Sequence, residues 1–191
     1  MSIFSLVVIA LIYVHIFGLK QDELVESKLG ASDQARKNFG IIMRDVRSAQ
    51  TFDIGTYTAG AFTAIGGTNL QQGNALRLGL SATLYPATSI LYYFDDISPS
   101  GVTLRRMHTG DATSTVVADH LTNFYGGAMT FSAEKYTGDI ATDQLDRRVV
   151  HFTLGFKQYQ YPLTVVGTGN NYLYDFYKME FRVTPHVPPG R

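Results

Sequence analysis

MSIFSLVVIALIYVHIFGL (Met1–Leu19) opens the chain without a single charged residue. An α-helix rises about 1.5 Å per residue, so a hydrocarbon core of about 30 Å takes about 20 apolar residues. Ile3 to Leu19 falls slightly short of that and holds Ser5, His15 and Gly18. A cleavable secretory signal would need a basic residue ahead of the apolar run and a small-x-small site after it. The chain has neither, and continues instead into Lys20, Gln21, Asp22 and Glu23. A buried core helix apolar on every face would need more core than 191 residues provide around it. The stretch therefore reads as a membrane-spanning segment that lacks its first residues.

Beyond Lys20 the apolar positions are Leu24, Val25, Leu29, Ala35, Phe39, Ile42, Met43, Val46 and Ala49. Steps of three and four mark one helical face. The other face carries Asp22, Glu26, Lys28, Asp33, Arg36, Lys37, Arg44 and Arg47. Gly30 and Gly40 each weaken such a helix by about 1 kcal/mol relative to alanine, so packing must hold it. Residues 1–50 as one rod would reach about 75 Å. No small head can bury that length, and part of it must meet lipid or other subunits.

Sixteen basic and 16 acidic residues give a formal net charge of zero, with no run of like charge. Nucleic acid is not expected as a partner, because phosphate binding needs a concentrated basic surface. The absence of cysteine excludes disulfides, thiolate metal sites and a cysteine nucleophile. Twelve Tyr and 12 Phe with no Trp suit β-rich packing.

After Gln50 the texture changes. Residues 53–74 hold Gly55, Gly60, Gly66, Gly67 and Gly73 among Thr and Ala, the pattern of a long surface loop with at most a short strand. Strands are expected at Leu76–Leu80, Ile90–Phe94, Val102–Met107, Ser114–Ala118, Ala128–Ser132, Arg148–Phe156 and Tyr174–Val183. Turns at Ser98–Gly101 and His108–Asp111 make 90–118 an antiparallel meander. Residues 119–125 fit either a short helix or a bridging segment. The tail from Thr184 to Arg191 is Pro-rich and should be extended.

No catalytic constellation emerges. His15 lies in the apolar segment, where an ionisable group is a functional candidate, but near a helix end it can sit neutral. His108 and His120 fall in turn and loop contexts, and His151 in an alternating strand. No close His pair marks a zinc site. Gly167–Asn171 lacks the ending and the helix of a phosphate loop, so it reads as a hairpin or loop. Asp95, Asp96, Asp139, Asp143 and Asp146 offer the oxygen ligands calcium takes, but without EF-hand spacing, and loops collect aspartate for turns anyway. No cofactor and no enzymatic activity are expected.

In order along the chain, several segments resemble the type IV pilin superfamily. Met1–Val8 is similar to the inner part of its N-terminal helix motif, without the leader, cleavage site and first mature residues. Ile42–Ala49 resembles the end of the long helix in J-type minor pseudopilins of type II secretion and W-type minor pilins. Ile90–Asp95 with Val102–Arg106 resembles their Tyr-Tyr-x-Asp strand and its Leu-x-Arg return strand. Val116–Phe124 and Arg148–Leu154 are similar to later segments. The resemblance implies a structural subunit, held in the inner membrane by the apolar helix with its head outside the cytoplasm. It also implies packing against other pilins or pseudopilins when the assembly machinery builds an extracellular filament, with tip assembly or initiation as the minor subunit's place.

The expected fold is α+β: a long N-terminal helix, apolar then amphipathic, packed on an antiparallel β-sheet head. Its expected divisions are the helix at 1–50 (filament core or membrane at 1–19, amphipathic at 20–50), a head at 51–183 and a tail at 184–191. Residues assigned to the membrane or filament core are Ile3, Phe4, Leu6, Val7, Val8, Ile9, Leu11, Ile12, Val14, Ile16, Phe17 and Leu19. Phe39, Ile42, Met43 and Val46 are assigned to packing between helix and head. The rival expectation is a single-pass anchored β-rich binding module that does not polymerise.

Overall fold

In the computed structural model the described residues are 2–80, 89–98, 101–121, 130–159 and 173–185. One helix, α1 (Ser2–Ser48), precedes ten strands. These are β1 (Thr51–Thr58), β2 (Ala61–Ala64), β3 (Gln72–Gly73), β4 (Ala75–Gly79) and β5 (Ser89–Ser98), then β6 (Gly101–His108), β7 (Thr115–Leu121), β8 (Phe131–Glu134), β9 (Val149–Tyr159) and β10 (Leu173–Val183). All pair antiparallel in one sheet of order β2-β1-β4-β5-β6-β7-β9-β8-β3, with β10 also on β9.

Alternation builds the core. Phe52 and Ile54 of β1, Leu76 and Leu78 of β4, and Ile90, Tyr92 and Phe94 of β5 point one way, as period two requires. Val150, Phe152, Leu154 and Phe156 of β9 do the same, with Phe181 and Val183 of β10. The sheet curls around them: Phe94 of β5 stacks on Phe131 of β8 with ring centroids 4.8 Å apart, although three strands separate their places in the sheet. The strand β3, which pairs with β8, runs through Asn74 straight into β4, so the last strand of the order is joined by the chain itself to the third.

The meander expected over 90–118 is present as β5, β6 and β7. Its turn at Thr109–Gly110 is closed by Asp111 N donating to His108 O at 3.0 Å, with Gly110 at φ 100°. Residues 53–74 differ from the expected loop. Most of β1, all of β2 and the short β3 lie there, because Phe52 and Ile54 face the core and Ala59–Gly60, both at positive φ, make a two-residue hairpin. Residues 119–121 complete β7, whereas 122–125, the hairpin or loop expected at 167–171 and most of the Pro-rich tail lie outside the described residues.

The expected fold class needs correction. Among the described residues the protein is mostly antiparallel β-sheet, 47% of them in strands, and no long helix is packed on that sheet. Side chains of α1 are described over two short stretches, Phe4–Leu19 and Arg36–Ser48, with Asp22 exposed between them. Only the second stretch meets the sheet, while every side chain from Phe4 to Leu19 is exposed. The physical reason is the curl: the strands bury their apolar faces against each other, leaving an opening that three to four helical turns fill.

Candidate functional site

The stretch Arg36–Ser48 seats on the sheet through Ile42 and Val46, both fully buried, with Ala49 just beyond the helix and Phe39 and Met43 packed partly against the same core. Phe39 stacks on Phe181 of β10 at 4.6 Å. The aromatic contact continues through Phe181–Phe152 at 4.8 Å, Phe152–Phe131 at 5.4 Å and Phe131–Phe94. Five rings thus run from the helix through β10, β9 and β8 to β5, and each pair is worth about 0.5–1.5 kcal/mol beyond its buried area.

Asp45 stands among these apolar contacts with 4% of its surface exposed. Its Oδ2 accepts from Tyr92 Oη at 2.7 Å and from Arg106 Nε at 2.8 Å. Burial, and then the Asp45 carboxylate, push the Tyr92 phenol far above the usual tyrosine range. Burial pulls Arg106 the other way, but the Asp45 hydrogen bond and the charges of Tyr92 and Asp45 together outweigh it, and the guanidinium stays above its ordinary value. Alternation correctly puts Tyr92 in a strand but says nothing of this tie. The available signal is an acid at position 45 within the apolar row Ile42, Val46 and Ala49.

The apolar stretch is the opposite case. Phe4 is 74% exposed, Leu11 65% and Phe17 58%, and Leu6, Val7, Val8, Ile9, Ile12, Val14, Ile16 and Leu19 are also open to their surroundings. Ile3 is helical, but its side chain is outside those described. From Phe4 to Leu19 the helix rises about 24 Å. Among the described residues no helix is long and apolar enough to cross a membrane.

Polar clusters in the head hold strands together. Asp53 bridges Arg77 at 2.8 Å and the buried Arg147 at 3.0 Å. Asp95 pairs with Arg105, and Asp146 with Lys135. Asp143 accepts from Leu145 N, and Asp139 from Thr137. These contacts occupy the aspartates whose chemistry suggested calcium, apart from Asp96, whose side chain is outside those described. No group of three or more candidate ligands is placed for a metal among the described residues.

Ser132, His151 and Glu134 lie together but do not form a nucleophilic relay. The serine Oγ, at 3.3 Å, and the Glu134 carboxylate, at 2.7 Å, both face Nδ1 of the imidazole, whereas a relay needs them on opposite nitrogens. His108 is exposed at the end of β6, beside Arg106 at 3.2 Å, and His15 is exposed in the apolar stretch. The side chain of His120 is outside those described.

Comparison with protein-family models finds no match, and comparisons with curated proteins and with solved structures find no significant match.

Proposed function

We propose that this chain is a structural, non-enzymatic subunit that assembles through Phe4–Leu19: a minor pilin or pseudopilin of a type IV pilus-like or type II secretion filament, acting in tip assembly or initiation. The observation that carries the reading is the exposure of an uncharged apolar helical surface ahead of a stretch firmly seated in the head. Each such side chain gains about 1.5–3 kcal/mol when removed from water, so this surface favours lipid or neighbouring helices strongly. The order of segments that resembles the pilin superfamily supports neighbouring helices. In this reading the inner membrane holds the subunit before assembly, the head lies outside the cytoplasm, and other pilins or pseudopilins are its partners.

The absence of cysteine makes the test clean. Single cysteines placed along Phe4–Leu19 in the full chain, oxidised in the membranes of the producing cells, should crosslink with a helical period and give a ladder. A chain that fractionates with membranes but gives no crosslink at any position is an anchored, non-polymerising module. A chain that stays in the aqueous fraction without crosslinks overturns both readings.

A further inference from the structure

Four charged side chains from three strands close a ring on the head. Glu134 of β8, 3% exposed, sets Oε1 2.7 Å from His151 Nδ1 and accepts from Arg182 Nε on Oε2 at 3.0 Å. Glu180 Oε1 lies 2.8 Å from Arg182 Nη1 and 3.1 Å from His151 Nε2. Strand register produces this meeting, because Ser132, His151 and Arg182 are direct partners across β8, β9 and β10. Ser132 Oγ, besides its approach to Nδ1, lies 3.3 Å from the His151 carbonyl and donates to it.

A neutral imidazole carries one N–H. Whichever nitrogen holds it, the other turns a lone pair toward a carboxylate oxygen. Only the imidazolium presents N–H to both. The charges within the ring agree: two carboxylates face one guanidinium, and an imidazolium at His151 supplies a second positive charge. Nε2 is buried and has no aligned hydrogen-bond partner despite the 3.1 Å approach of Glu180, so its attraction there is ionic and depends on the proton. The charged groups in contact with His151 or its partners among the described residues are Glu134 from β8 and Glu180 and Arg182 from β10. Lys135 is engaged with Asp146, and Arg148 with the carbonyls of Leu145 and Arg147.

We propose that this ring is a proton-dependent clamp that fastens β10 to β8 across β9 when His151 is an imidazolium and loosens β10 when the proton leaves. The consequence reaches the helix, because β10 carries Phe181, on which Phe39 stacks. The imidazolium gains two carboxylate partners on folding, whereas the neutral ring keeps an N–H for only one of them.

Amide hydrogen exchange of β10 in the full chain, at pH 5.5 and pH 8 and corrected for intrinsic rates, tests the clamp. Protection should fall on the order of tenfold at the higher pH, the worth of a hydrogen bond to a charged group. His151→Gln should remove that difference. Glu180→Gln, on the half-exposed rim, should reduce it, and serves if the histidine variant fails to fold. Equal protection at both pH values, or an unchanged ratio in the variant that folds, overturns the proposal. A histidine ring NMR signal showing neutral imidazole at pH 5.5 does the same.

Discussion

Tyr92 donates to Asp45 at 2.7 Å in a part of the protein where nearly every other contact between helix and sheet is apolar. Apolar burial stabilises the docked helix, but it is non-directional and tolerates sliding. The carboxylate removes that freedom. Its Oδ2 also takes the Arg106 Nε–H at 2.8 Å, so the helix is fixed at one point to both β5 and β6.

Breaking the tie from the acid side should therefore be costly. Asp45→Asn leaves the part-buried Arg106 without its counter-charge and should destabilise the head by about 1.5–3 kcal/mol, the usual worth of a hydrogen bond to a charged group. Tyr92→Phe removes one hydrogen bond and should cost about 1–2 kcal/mol. Urea unfolding of the two single variants and the double variant measures the coupling. The double variant should lose less than the sum of the singles.

The tie also sets behaviour in alkali. The Tyr92 phenol is held far above the usual range when folded and returns to it when unfolded. A group raised in this direction contributes stability that is complete below its unfolded value, about pH 10 for tyrosine, and is lost as pH rises beyond it. Stability measured from pH 8 to 11 should fall at the alkaline end, and Tyr92→Phe should fall less steeply. An identical slope in the two proteins would rule out Tyr92 as the source.

The two described stretches of α1 should respond to mutation in different ways. Ile42→Ala or Val46→Ala opens a cavity in the shared core and should cost about 1–5 kcal/mol in urea unfolding. Leu11→Ser or Phe17→Ser touches exposed positions and should leave the unfolding of the head within about 0.5 kcal/mol. If the assembly reading holds, the same serine variants should weaken crosslinking between copies. Gly40, exposed in the helix with open space where a Cβ would sit, should accept alanine and gain about 0.5–1 kcal/mol.

These expectations also mark what the sequence could convey. The strands from Leu76 onward were legible because apolar and polar residues alternate over enough positions. Phe52 and Ile54 alternate too, but only over one pair, and the glycines that follow outweighed them. Those glycines serve a closing sheet, and that closure depends on contacts between distant segments. The pattern of α1 was visible in the steps from Phe39 to Val46. That Phe4–Leu19 would stand clear of the sheet was not, because this depends on how far the strands curl. Asp45 carried no signal of its own, since its partners are 47 and 61 positions away. His151 looked like an ordinary strand residue for the same reason: Glu134 and Glu180 come beside it only through register.

The closure can be tested at Gly73. A Cβ there would run into the backbone carbonyl of Gly55, and one at Gly55 into the carbonyl of Thr63 and the ring of Phe62. Backbone cannot rotate aside as a side chain can, so β1 and β3 would have to separate. Separation would strain the pairing of Gln72 and Gly73 with Ser132 and Phe131, which helps draw β8 toward the start of the sheet. Gly73→Ala should therefore destabilise the head by about 1–3 kcal/mol, as overpacking does elsewhere. Gly66→Ala is the control, because its position is exposed and a Cβ there meets nothing within 4 Å. Paired urea titrations should show a loss for the first and little change for the second. Equal effects would mean that the close approach of Gly73 to Gly55 does not hold the sheet closed.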